Sequence, residues 1–328
     1  ELEKEGKNTG CWIVRLGEKM KGMEDPDKIL IRSNGTATYT GKDVIFQLWK
    51  FGKLHGDFSY AKFIRQPNGE SAYISSAKGK PMDFGRAEMV VNVIGVEQKY
   101  PQEVIKHVLE CLGLRNEAKN SVHLAYEHAW LPETKFSGRR GTWLGYTADE
   151  LAAEGKKRAK EKVKLEFTEE EKREIASRVA IGAIRYAFLK IAPETKIIFK
   201  WDEVLSMEGD SGPYLQYACV RAKRIMEKAE FLPKAGLYEF NAAERELMLE
   251  LASFPEVVES AVEKMRPHLI ASYLYNLSNA FSRFYSANRV LDAEAKDIAQ
   301  TRLAMVRAFE NVLSIGLGIL GVPIPEKM

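Results

Sequence analysis

A chain of 328 residues with 45% hydrophobic and 29% charged side chains has room for about two domains with real cores. Lys and Arg number 49 against 46 Asp and Glu, a net of +3, which excludes nucleic-acid binding by bulk charge and leaves that task to local basic clusters. Cys11, Cys111 and Cys219 stand far apart without a C-x-x-C pair, and no apolar run reaches membrane-spanning length. These features predict reduced thiols, a cytoplasmic location and no membrane association.

The opening "ELEKEGKNTGCWIVRLGEK" starts on Glu and reads like the middle of a domain, so the chain is expected to be a fragment. "CWIVRL", "KILIRS" and "MVVNVIGV" are strand-like, whereas "VIFQLWKFG" and "PQEVIKHVLECLG" carry a helical pattern. In the last of these, Val104, Val108, Leu109 and Leu112 share a face, and Gly113 suits a helix C-terminus. Alternating strands and helices predict an α/β layer. Residues 52–85 have turn chemistry and no helical period, and are expected to form an insertion. Beyond about residue 148 the pattern turns helical. Thr168–Glu171 and Asn241–Glu244 have capping-box spacing. Ile270, Leu274, Leu277, Phe281 and Phe284 form the packing stripe of a bundle helix. The tail "VLSIGLGILGVPIP" is expected to be a buried helix end. Residues 1–200 are therefore expected to be α/β, and 201–328 an antiparallel helix bundle.

Four stretches have the ingredients of binding sites. In "SNGTATYTGKD", Asn34-Gly35 marks a turn into a helix starting near Tyr39. Tyr39 and Asp43 would then share one face, an aromatic ring beside a carboxylate, as a guanidinium group would require. On these residues alone, an ordinary helix-start Tyr with a surface Asp is the favoured reading of the pair. In "VVNVIGVEQ" a strand ends at Gly95, and Gln98 stands where ligands of α/β sheets sit, or in a plain turn. The loop "LPETKFSGRRG" gathers Lys135, Ser137, Arg139 and Arg140 with two glycines, a composition for holding phosphate or for a solvated loop. In "GDSGPYLQYACVRAKRIMEK", Ser211 can cap a helix with Pro213 in its first turn. Tyr214, Tyr217, Arg221, Arg224 and Lys228 follow at three- and four-residue steps. Such a stripe can stack bases and neutralise phosphates, or be a buried tyrosine pair with a solvated basic end.

Together, "SNGTATYTGKD", "VIGVEQ", "KFSGRRG", "EGDSGPYLQYACVRAK" and the closing "RLAMVRAFENVLSIGLGILGVPIPEKM" resemble the arginyl-tRNA synthetases, class I aminoacyl-tRNA synthetases, in the archaeal or eukaryotic-like form. The matches run in the family's order from about residue 29 onward. The resemblance implies the second half of a Rossmann-type catalytic domain followed by a helical anticodon-binding domain. It implies ATP-dependent activation of L-arginine and its transfer to arginine tRNA, with Mg²⁺ accompanying ATP, no protein-bound metal, and a monomer. Residues 135–141 stand at the family's KMSKS loop, so Lys135, Ser137 and Arg139 would contact the ATP phosphates; Gly138 replaces the motif's second lysine. Tyr39, Asp43 and Gln98 match arginine-recognising positions, with Asp43 as guanidinium partner. Tyr214, Tyr217, Arg221 and Met328 match positions at the anticodon loop. The HIGH motif of class I enzymes is absent from these residues, so the chain alone is expected to be inactive. A noncatalytic tRNA-binding module from the same family is the competing expectation.

Overall fold

The structure, a computed structural model, describes residues 1–17, 27–130, 147–163 and 166–328. Packing divides the chain into two compact units, Glu1–Tyr126 and Glu127–Met328. That division precedes the 200/201 boundary expected from the pattern. The reason is that helices between residues 148 and 189 pack within the second unit.

In the first unit, β1 (Trp12–Arg15) pairs antiparallel with β2 (Asp27–Ile31) and leads to helix α1 (Tyr39–Lys50). The segment 52–85 forms its own antiparallel sheet of β3 (Ser59–Arg65), β4 (Ser71–Ser75) and β5 (Lys80–Pro81), in the order β4-β3-β5. One carboxylate ties this insertion to α1: Asp57 accepts from the Trp49 indole at 3.0 Å and the Tyr60 hydroxyl at 2.8 Å. Then β6 (Val90–Gly95), a single 3₁₀ turn (Val96–Gln98), α2 (Lys99–Cys111), α3 (Arg115–Lys119) and β7 (Ser121–Tyr126) follow, with β6 and β7 paired in parallel. The core joins Val14 and Leu16, Val44 and Leu48 of α1, and Val104, Ile105, Val108 and Leu109 of α2. Leu112 departs from the expected stripe and is 56% exposed, because α2 has ended by then. Gly113 follows at φ +79°, the left-handed position that closes the helix.

The second unit opens with β8 (Ala129–Trp130) and continues with α4 (Ala148–Lys162), α5 (Glu169–Leu189), β9 (Ile197–Ile198) and α6 (Trp201–Val204). The helices α7 (Gly212–Glu227), α8 (Ala242–Ala252), α9 (Phe254–Glu263), α10 (His268–Ala287) and α11 (Lys296–Ile319) complete it. Both expected capping boxes form, at Thr168/Glu171 and Asn241/Glu244, and a third forms at Thr147/Glu150. The α10 stripe from Ile270 to Phe284 is buried throughout, and Phe281 stacks on Phe309 of α11 at 3.8 Å between ring centroids. The apolar tail splits by face: Leu313, Leu317 and Leu320 are buried, while Ile315 and Ile319 remain exposed. Among the described residues no helix is long and apolar enough to cross a membrane.

One buried ion pair joins three parts of this bundle. Glu244 is fully buried, and its carboxylate accepts from Arg302 Nε of α11 at 2.7 Å, the Tyr238 hydroxyl at 2.6 Å and the Asn241 amide at 2.8 Å. Burial opposes its ionisation, but the hydrogen bonds from Tyr238, Arg302 and Asn241 outweigh that and hold it below the ordinary value of 4.5. A lowered folded pKa contributes stability that is complete above about 4.5 and is lost as pH falls through the folded value. Removing one partner of a buried pair leaves the other uncompensated, so Glu244→Ala is expected to cost about 3–5 kcal/mol in denaturant unfolding. The thermal midpoint of the unaltered chain should fall on acidification below that pH, and Glu244→Gln should flatten this dependence.

Candidate functional site

Helix α1 begins where the sequence indicates, at Tyr39. The Thr38 hydroxyl accepts from the Gly41 amide at 3.1 Å and donates to the β2 carbonyl of Ile29 at 2.9 Å. Gly41 lies so close to β2 that a Cβ there would stand 2.3 Å from the Leu30 carbonyl oxygen. Thr38 and Gly41 thus press the first turn of α1 onto β2 and orient its outer face. Tyr39, Asp43, Phe46 and Lys50 follow at steps of four, three and four residues along that face. Tyr39 is 87% exposed, Asp43 is exposed, and Phe46 is half-exposed. The Lys50 ammonium lies 4.4 Å from the Phe46 ring centroid and donates to Asn92 Oδ1 at 2.7 Å. Burial pushes the Lys50 pKa down, and the charge of Asp43 pulls it partly back.

Gln98 ends the 3₁₀ turn after β6, half-buried, at the carboxyl end of the strand. Tyr39 and Asp43 are thus brought to one helix face, and Gln98 is presented from a neighbouring element of the same unit. The residues not singled out from the sequence are Phe46, Lys50 and the polar side chains beneath them, Gln47, Asn92, Gln102 and Ser121. Register carried a signal for one of them. In "VVNVIG", Asn92 shares the inward positions with Val90 and Ile94, and a polar residue there must find partners. The loop with Lys135, Ser137 and Arg139 lies outside the described residues.

In the second unit, the "GDSGPY" stretch anchors the start of α7. Asp210 accepts from the buried Tyr186 hydroxyl at 2.6 Å and pairs with the Lys190 ammonium at 3.2 Å. Ser211 caps α7 by accepting from the Tyr214 amide at 3.2 Å. A Cβ on Gly212 would meet the Gly182 carbonyl oxygen at 2.8 Å, so α7 and α5 cross closely at this point. The α7 stripe is not uniform. Tyr214 is half-buried and donates to Asn279 Oδ1 at 3.0 Å, with an edge contact to Tyr275. Tyr217 is 41% exposed, and the Arg221 guanidinium lies 4.2 Å from the Tyr285 ring centroid. The tail after α11 is held by side chains donating to its carbonyls: Arg185 to Gly321 at 2.6 Å, Gln216 to Pro323, and Arg178 to Ile324 at 3.2 Å. Arg224 donates to the Met328 main-chain oxygen at 3.2 Å, which brings Met328 to α7 one turn beyond Arg221.

The family described as DALR anticodon binding domain matches residues 215–328, which are α7 from Leu215 to the end of the tail. The match takes in α8 to α11, most of α7 and the tail. Along its whole length the chain is similar to arginine–tRNA ligases. It is 45% identical to that of Pyrococcus abyssi, over 99% of this chain and 53% of that protein. It is 34% identical to that of Deinococcus radiodurans, over 99% of this chain and 56% of that protein. The solved structure of Thermus thermophilus arginyl-tRNA synthetase superposes with a TM-score of 0.88 at 35% identity, covering 100% of this chain and 55% of the other. Along nearly its whole length the chain is thus homologous to part of the arginyl-tRNA synthetases, and it spans about half the length of the curated relatives it matches. The expected architecture, an α/β part followed by an all-α part, agrees with that fold.

The unequal burial of the two tyrosines gives a direct test. Tyr214→Phe loses a hydrogen bond in a half-buried setting and should cost about 0.5–1.5 kcal/mol in urea unfolding. Tyr217→Phe, with no partner for its hydroxyl among the described residues, should leave stability within about 0.5 kcal/mol of the starting value.

Proposed function

We propose that this chain is part of an arginine–tRNA ligase: ATP activates L-arginine to arginyl-adenylate with release of pyrophosphate, and arginine then passes to the terminal ribose of arginine tRNA. The observation that carries this reading is that similarity to arginine–tRNA ligases covers 99% of the chain and so includes both units. No side chain needs to act as a covalent nucleophile; positioning and electrostatic stabilisation suffice. Asp43 pairs with the substrate guanidinium, Tyr39 covers its face, and Gln98 fixes the substrate from the carboxyl end of β6. Lys135, Ser137 and Arg139 clamp the ATP phosphates and oppose the charge that grows as pyrophosphate leaves. Mg²⁺ arrives with ATP as part of the nucleotide substrate; among the described residues no three His, Cys, Asp or Glu side chains converge on one point.

On the second unit, residues 201–328 receive the anticodon loop, with Tyr217 stacking a base and Arg221 and Arg224 facing phosphates near Met328. The half-burial of Tyr214 and its bond to Asn279 support a supporting place for that ring beneath the binding face. The protein acts as a cytoplasmic monomer. The first unit is half of a Rossmann-type catalytic domain. Parallel strands are ordinarily covered on both faces, yet Val91 and Val93 on β6 are exposed. We assign their cover to the length by which the relatives exceed this chain.

Arginine-dependent ATP–pyrophosphate exchange tests the catalytic reading. The 328-residue chain alone should give none, because its residues contain no HIGH motif to help hold ATP. In the complete gene product, Asp43→Ala should raise the arginine KM at least about tenfold, the worth of a charge-assisted hydrogen bond, and leave the ATP KM within about twofold. Turnover by the chain alone, or equal effects on both substrates, would contradict these roles. The anticodon reading is tested on this chain directly. Tyr217→Ala should weaken binding of arginine tRNA about tenfold in filter assays while circular dichroism melts stay cooperative, since base–aromatic stacking is worth about 1–3 kcal/mol. A folded variant with unchanged affinity would remove Tyr217 from the interface.

A further inference from the structure

Beneath the face that carries Tyr39 and Asp43 lies a connected set of polar side chains with its centre at Asn92. The Asn92 carboxamide accepts from the Lys50 ammonium at 2.7 Å and donates to Gln102 Oε1 at 2.9 Å and Gln47 Oε1 at 3.3 Å. Gln47 in turn donates to Ser121 Oγ at 2.9 Å, and Ser121 donates to the Glu117 carbonyl at 2.8 Å. Gln47, Gln102 and Ser121 are buried. Through Asn92 alone, α1 is bonded to β6 and β6 to α2; through Gln47 the set extends to β7 and α3. The links tie together five elements, α1, β6, α2, β7 and α3, and the members have partners within the set, so the network fixes relative position more than it adds stability.

The placement of this centre matters for the substrate. Lys50 is the last residue of the stripe that begins with Tyr39 and Asp43, and Gln47 stands on the flank of the same helix. Gln102 lies one turn beyond Gln98 at the start of α2. Asn92 therefore sits between the helix that supplies the guanidinium partner and the turn that supplies Gln98. Apolar packing would let α1 slide along β6 at small cost, whereas directional bonds at 2.7 and 2.9 Å do not.

We propose that Asn92 is a positioning residue for arginine recognition: it holds Tyr39 and Asp43 on α1 at a fixed distance from Gln98, and Lys50 is its arm on the helix. This rests on the arginine-binding reading above. A misplacement of about 1 Å can cost up to 10²-fold, so in the complete gene product Asn92→Ser should raise the arginine KM about tenfold. The ATP KM should stay within about twofold, and melting should remain cooperative. Asn92→Asp keeps the acceptor for Lys50 and can accept from a rotated Gln102 amide, but it loses the donor to Gln47 Oε1, so its arginine KM should fall between that of Asn92→Ser and the starting value. Lys50→Met, which removes the shorter of the two bonds between Asn92 and α1, should raise the arginine KM about fivefold, and it decides the matter if Asn92→Ser does not fold. An unchanged arginine KM in folded variants, or arginine and ATP KM values rising together, would overturn the proposal. Asp43→Ala measured alongside separates the two levels. A strong arginine defect there with none in Asn92→Ser defeats only the positioning role. No defect in Asp43→Ala defeats the arginine reading, and the positioning role with it.

Discussion

A polar side chain at an inward position of a strand must be met by partners, and in the first unit that requirement falls on Asn92. Val44, Leu48, Val104 and Val108 make α1 and α2 adhere to the sheet, but such contacts are non-directional and tolerate sliding. The Asn92 amide offers donors and an acceptor in one plane, and Lys50, Gln47 and Gln102 take them from two helices. Where α1 stands, and hence where Tyr39 and Asp43 stand, follows from those bonds together with the close seat of Gly41 on β2.

The bundle solves the same problem with charge. Glu244 closes its own capping box, yet its carboxylate also receives Arg302 from α11 and the Tyr238 hydroxyl from the preceding loop. A local helix-start motif thereby becomes the joint between α8, α11 and the segment before them. The tail after α11 is treated likewise: Arg185, Arg178 and Gln216 are spent on its carbonyls. Arg224 reaches Met328, so the basic end of α7 is bonded to the end of the tail.

The "GDSGPY" stretch shows how a family motif can be structural at one end and exposed at the other. Asp210, Ser211 and Gly212 fix the start of α7 through Tyr186, Lys190 and the close crossing with α5. Tyr217, Arg224 and Lys228 are left exposed, and Arg221 lies half-buried over the Tyr285 ring. The helix is anchored at its first turn and presents its later turns.

Much of this was legible in the linear chain because it is local. Helix starts at Tyr39, Thr168, Ser211 and Asn241 depend on a cap and its next three residues, and the buried stripe of α10 depends only on helical period. The shared face of Tyr39 and Asp43 follows from the same period. Tertiary structure alone decided the rest. Leu112 fits the apolar pattern of α2 yet is exposed because the helix ends first. Tyr214 and Tyr217 are chemically alike, and only the approach of Asn279 and Tyr275 buries one and leaves the other open. The partners of Asn92 lie between 10 and 45 residues away, and those of Glu244 include Arg302, 58 residues away. Period and capping act over one or two helical turns, whereas the partner of a buried polar group is chosen by whichever element the fold brings alongside.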